Sequence, residues 1–526
     1  MAARAQQIGP SGFAGFGVAL LLAALSLGTL AVVGLNAEGL FSLGPADWAA
    51  LRFTVSQAVV SAILSVGLAI PLARALARRR FVGRRLLVLL LGAPFILPVV
   101  VAILGLLAVY GRSGILSDVL VGIGYRPLEI YGFDGVVLAH VFFNLPLVTR
   151  LLLQGWQAVP AEQFRLAAQL GIDGHNFTRH LEWPILRAVL PGAFVTVFLL
   201  CVTSFAVALT LGGGPRATTL ELAIYQAFRF DFDLGRAALL AVMQFALCAV
   251  AAVLAWKTGR TSEFSPGIER LAERWDGRSW FASIGDGIMI VMVALFLLVP
   301  TVMVIVNGLH GLATLPASII PAAMRSILVA LGSALLTLWL AVMLALAIAR
   351  QEPQNPRVSG LLEGVGYLSI AASPMVIGTG LFLLLFPHID PARLALPITA
   401  LVNAAMSLPF ALRALLPAVR QARQDYGALA DSLGMTGLSG FRLAIWPRIR
   451  PAAGFATGLA AALSMGDLGV IALFADADGP TLPLLMYRLM GAYQMQAAAG
   501  AGLLLLVLSL GLFWVFDREG RHDAGA

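Results

Sequence analysis

Four polar side chains stand inside long apolar runs, where each is placed to do chemistry rather than fill space: Asp467, Ser204, His140 and Asn144. At the middle of a bilayer a carboxylate costs about 2.5–3.5 kcal/mol on insertion scales, so Asp467 is expected to be functional. A packing or gating hydrogen bond is the favoured role, and a counter-ion for a crossing cation is the alternative. His140 and Asn144 lie one helical turn apart, which suits interhelical hydrogen bonds or a substrate contact. The other scarce residues exclude catalysis. The one lysine, Lys257, has no glycine-rich loop before it, so a G-x-x-x-x-G-K-[ST] phosphate cradle is absent and any ATP must be held by another polypeptide. Cys201 and Cys248 lack C-x-x-C or Cys/His spacing, and no H-E-x-x-H or G-x-S-x-G motif occurs. No catalytic residue, metal site or cofactor is expected in this chain.

The elements that must position those side chains are membrane helices. Of 526 residues, 60% are hydrophobic and 12% charged, and the mean hydropathy is +0.90. About 20 consecutive apolar residues suffice for one span. Runs of that length fall near 12–34, 54–76, 86–109, 133–155, 188–211, 236–256, 282–306, 325–349, 360–386, 394–416, 452–473 and 496–516, which predicts an all-α polytopic membrane protein of about twelve helices. The first run is longer than a signal-peptide core and is read as a retained helix. Arginines cluster at 74–85, 150–187, 257–278 and 413–450, so the positive-inside rule puts both termini in the cytoplasm. The formal charge of +8 follows from these clusters and does not indicate nucleic acid.

The chain also repeats itself. Leu145-Pro146 and Arg150 match Leu408-Pro409 and Arg413, while Trp183-Pro184 and Arg187 match Trp446-Pro447 and Arg450, all offset by 263 residues. Upstream, Ala73-Arg74 and Pro98 match Ala349-Arg350 and Pro374 at an offset of 276, so the first half carries a short external insertion. Six helices per half is an even number, hence two parallel six-helix repeats about an axis along the membrane normal. The expected organisation is a first half at 1–256, a cytoplasmic linker at 257–280 and a second half at 281–526.

Between the fourth and fifth spans of each half lies a polar loop, at about 156–187 and 419–450. Each reads as a short helix, opened by Pro160 or by Asp425, stopped by glycine and followed by a second short helix bounded by proline. Ala167, Ala168, Leu170, Gly171 and Pro184 form the first set; Ala430, Leu433, Gly434 and Pro447 form the second. Presented twice around an axis, they make a docking surface for a two-fold symmetric cytoplasmic partner. A second repeated pair, Gly214-Pro215 to Tyr225 and Gly479-Pro480 to Tyr487, lies in external loops and is a candidate contact for a binding protein.

Small residues, then glycine, then proline thirteen positions later resembles the EAA loop of ATP-binding-cassette importer permeases. That loop is the coupling helix seated in the ATPase subunit. The family's leading glutamate, six positions before the glycine, is replaced here by Arg165 and Ala428. Over nearly its full length the chain is similar to the fused two-half thiamine permeases of bacterial inner membranes. The similar segments are Val109–Gly114, Leu138–Pro146 with Thr149–Gln154, Leu211–Gln226 and Gly466–Phe474. The resemblance implies a type I importer permease (MetI-like) fold and import of thiamine and its phosphates. It also implies two copies of a cytoplasmic ATPase that hold ATP and magnesium, and a periplasmic binding protein. Fused iron(III) permeases share the architecture and are the alternative. A twelve-helix secondary transporter is the rival outside the family, and a membrane-bound enzyme is disfavoured by the missing catalytic clusters.

Overall fold

The computed structural model describes residues 10–37, 43–92, 96–157, 161–172, 174–212, 214, 217–258, 280–435, 437–475 and 479–522. Most of the expected linker at 257–280 and Pro215 therefore lie outside the described residues. Eleven helices among the described residues are long and apolar enough to cross a membrane, and one bent pair makes a twelfth span. In chain order the spans are Ala14–Asn36, Pro45–Arg78, Val99–Gly122, Phe133–Trp156, Thr178–Val202 and Leu234–Leu254 in the first half. The second half has Trp280–Thr314, Ile319–Gln351, Pro356–Ser369 bent onto Pro374–Leu385, Pro391–Ala430, Gly437–Phe474 and Met495–Gly520. One span stands for each of the twelve apolar runs. Helices satisfy their backbone groups internally, which lipid cannot do for them.

Four expected spans are interrupted along their length. The run at 86–109 is divided between the short helix Arg84–Leu90 and a helix that begins at Val99, after Pro98. Its repeat mate bends by 86° between Ser369 and Pro374. Proline lacks the amide a continuing helix needs and clashes with the preceding turn, so the repeated Pro98 and Pro374 start new helices. The fifth span likewise stops at Val202 and restarts at Phe205, and the eleventh stops at Met465 and restarts at Gly469. In the loops, Asp425 does not open a helix. A single helix runs from Ala395 to Ser432 and passes through it, while the expected opening at Pro160 lies outside the described residues. In the first half the helices are Phe133–Gln157 and Ala161–Gln169.

The repeats interlock rather than sit side by side. The first span packs on the eighth and ninth of the other half, and the seventh packs on the second and third. Small residues permit these crossings: a Cβ on Gly15 would strike Ala347, and one on Gly105 would lie 2.5 Å from the Pro300 carbonyl oxygen. In lipid no hydrophobic force draws helices together, so close approach at glycine carries the association. The division of the sequence into two halves is thus not a division into two separately packed bundles.

Candidate functional site

On the arginine-rich face, the two loops close with the same geometry. Gly171 and Gly434 adopt φ of +65° and +67°, a left-handed conformation that glycine enters without strain. Ile172 N donates to Ala167 O and Met435 N donates to Ala430 O, each at 2.9 Å, the six-to-one bond of a Schellman turn. Ala167 and Ala430 are buried beneath the turn. Facing away are Leu166 and Leu170, exposed by 56% and 65%, and their repeat mates Leu429 and Leu433, at 55% and 66%. Leucines one turn apart share a helix face, and covering one fully is worth about 1.5–3 kcal/mol. The two turns thus present matching bare apolar faces. Pro184 and Pro447 sit in the first turn of the fifth- and eleventh-span helices, where a missing amide costs nothing. Ala168 lies in the first short helix.

Each turn is moored differently. In the first half Glu182, buried just before the fifth-span helix, lies 3.1 Å from Arg74 Nη2 and 3.8 Å from Arg78 Nη2 on the second span. Thr178 joins them, accepting from Arg74 at 3.3 Å and donating to Glu182 at 3.4 Å. In the second half Ile445 takes the place of Glu182. There Arg420, on the long helix that leads into the turn, reaches Glu352 at 2.9 Å and Glu363 at 3.1 Å. Arg448 lies over the Tyr426 ring at 4.6 Å. Glu182 and Arg420 escaped notice in the sequence because neither has a charged repeat mate.

At the centre, the breaks of the fifth and eleventh spans meet those of the third and ninth. A Cβ on Gly466 would lie 3.1 Å from Pro98, and one on Gly469 would lie 3.5 Å from Met375 and 3.6 Å from Phe205. Phe205, Met375 and Leu468 are buried, so apolar side chains shut the seam at this level. Ser204 and Asp467 flank it at the two helix restarts, both half-buried. Asp467 Oδ1 accepts from Gly469 N at 3.2 Å, capping a helix end that would otherwise leave an amide unpaired.

His140 and Asn144 are elsewhere. They are buried inside the first half, where Asn144 Nδ2 donates to His140 O at 2.8 Å and lies 3.5 Å from Cys201 Sγ. Ser61 Oγ approaches His140 Nδ1 at 3.5 Å, and Gln57 Nε2 donates to Cys201 O at 3.0 Å. These contacts tie the second, fourth and fifth spans together and leave the seam to other residues. The second half repeats the layer with different chemistry, Asn403 Nδ2 donating to Ser464 Oγ at 3.0 Å. Asn403 and Ser464 are the repeat mates of His140 and Cys201 at the 263-residue offset, a signal the sequence held but that polar identity concealed.

The candidates on the opposite face are more inward than a loop position suggests. After the break, each half carries a short helix, Leu220–Arg229 or Leu482–Gly491, whose first amide is held by a buried hydroxyl. Leu220 N donates to Thr54 at 2.9 Å and Leu482 N donates to Ser326 at 2.7 Å. Tyr225 packs edge-on against Phe205 at 5.2 Å, and Tyr487 is half-buried on the matching helix. Pro480 is buried, whereas Gly214, at φ +132°, is exposed; Gly479 is half-exposed. Phe382 contacts Phe228 of the other half at 4.2 Å, and within its own half Phe386 at 5.2 Å and Phe474 at 5.9 Å. The repeat mates of Phe382 and Phe474 are Leu106 and Leu211, so this aromatic plug is one-sided.

No family model matches the chain. Over 514 residues it is 41% identical to the thiamine transport system permease protein ThiP of Brucella abortus (strain 2308), covering 95% of this chain and 94% of that one. It is 38% identical over 538 residues to the protein of that name from Salmonella typhimurium (strain LT2), covering 99% of both. With that of Escherichia coli (strain K12) it shares 40% over 486 residues, 90% of each chain.

Proposed function

Because the chain belongs to the family of thiamine transport system permeases, we propose that it is the membrane-spanning subunit of an ATP-driven importer that passes thiamine and its phosphates into the cytoplasm. It is a multi-pass inner-membrane permease without an enzymatic activity of its own. In this reading the arginine-rich face is cytoplasmic, as the positive-inside rule asks, and both termini lie there. A periplasmic binding protein delivers the substrate to the opposite face. Two copies of an ATPase subunit, holding ATP and magnesium, seat on the turns at Gly171 and Gly434.

The observation that carries the reading is the duplication of one turn: the same left-handed glycine, the same six-to-one bond and the same two bare leucines in both halves. ATP binding closes the ATPase pair and draws the turns together. The fifth and eleventh spans then pivot at their breaks beside Ser204 and Asp467, and the seam opens toward the loaded binding protein. Hydrolysis returns it. Nucleotide shifts this equilibrium only because the closed ATPase pair fits one spacing of the turns better than the other. Asp467 serves as the cap of a moving helix end rather than as a counter-ion.

The test is uptake into vesicles holding the permease, the ATPase and a binding protein loaded with thiamine or with iron(III). Thiamine uptake that requires ATP is expected, without iron(III) uptake. Transport that runs on an ion gradient with no ATPase present would overturn the proposal.

A further inference from the structure

The structure assigns Glu182 as the positioning residue that passes motion of the first turn to the second span, an inference that rests on reading the turns as ATPase seats. Taking the Glu182 carboxylate and the Arg78 guanidinium out of water is expensive, Arg74 staying one-third exposed, and apolar side chains can often replace such a cluster. The second half does replace the carboxylate, with Ile445, so the fold does not demand an acid at this position. What the charges add is directional linkage. Glu182 meets each arginine through one oxygen, Oε2 with Arg74 and Oε1 with Arg78, so one carboxylate bridges two positions a turn apart on the second span.

In the second half the turn is the end of one rod, Ala395–Ser432, which carries Pro409 and Pro417 within it and joins Gly434 to the tenth span. In the first half the fourth-span helix is described to Gln157 and the turn helix from Ala161, and residues 158–160 between them lie outside the described residues. Glu182 lies in the first turns of the fifth span, just after that loop, and its oxygens lie against Arg74 and Arg78 at the end of the second span. Only 3% of the Glu182 side chain is exposed, so it does not touch a docked partner; the exposed leucines do that.

The experiment measures thiamine transported per ATP hydrolysed by the reconstituted complex, together with the amount of ATPase subunit bound. Glu182→Gln should lower that ratio at least fivefold with unchanged ATPase binding, and Glu182→Asp should recover more than half of it. If Glu182→Gln does not assemble, Arg74→Gln carries the test with the same expected loss. A wild-type ratio in either neutral variant, or an Asp variant as uncoupled as the Gln variant, would overturn the link. Wild-type uptake that ignores the ATPase would instead overturn the reading beneath it, which separates the two failures.

Discussion

The two halves close their turns alike and moor them with opposite charges. In the first, a buried carboxylate on the loop meets arginines on the second span; in the second, an arginine on the rod meets carboxylates at the junction of the eighth and ninth spans. The turn faces a partner, so both copies are held to one shape. The mooring faces only its own half, where any arrangement that transmits displacement serves. Burial also differs: the Glu182 side chain is 3% exposed, whereas those of Arg420 and Glu352 are 28% and 47% exposed. Similar pairs on paper therefore differ in energy.

The shared feature breaks first. Leu170→Asp combined with Leu433→Asp places charge on both bare faces, and co-purification of the ATPase should weaken at least 100-fold, about 2.7 kcal/mol or more. Either single change should weaken it less, since one face remains. Next comes the contrast in mooring. Glu182→Ala removes the buried carboxylate beside the buried Arg78 and should cost about 3 kcal/mol of stability, read from unfolding in detergent. Arg420→Gln removes a partly exposed pair and should cost no more than about 1 kcal/mol. Equal losses would erase the distinction drawn here.

A smaller effect tests the likeness. Gly171→Ala and Gly434→Ala each force a side chain into the left-handed region at about 1–2 kcal/mol, and the two losses should agree because the turns share one geometry. Smallest is the response to salt. Raising ionic strength from 0.1 to 1 M shortens the screening length from about 10 to about 3 Å, so the Arg420 contribution should fade while that of Glu182 persists.

Much of this was legible without coordinates. Apolar length yielded one span for every run, and the repeated Gly-to-Pro spacing located both turns, because left-handed backbone and helix starts each narrow the choice of residue sharply. Pro98 and Pro374 were visible as repeat mates, yet an apolar run reads the same whether it is straight or bent by 86°. The loops misled at Asp425, since an acidic residue can begin a helix or ride along one. His140 and Asn144 make the interhelical contacts that the sequence favoured for them, but periodicity reports only that a residue is polar within an apolar run, not which neighbour it meets.

Sequence alone determined that the protein is helical, spans a membrane many times, is built twice and carries two matched turns; each of these depends on local composition or on residues near one another in the chain. Only the tertiary structure decided that the first helix of each half lies on the other half, that the seam is shut by Phe205, Met375 and Leu468, and that Glu182 answers Arg74 across 108 positions. Such contacts depend on how helices cross, and a crossing is set by shape on both surfaces at once, which neither segment encodes by itself.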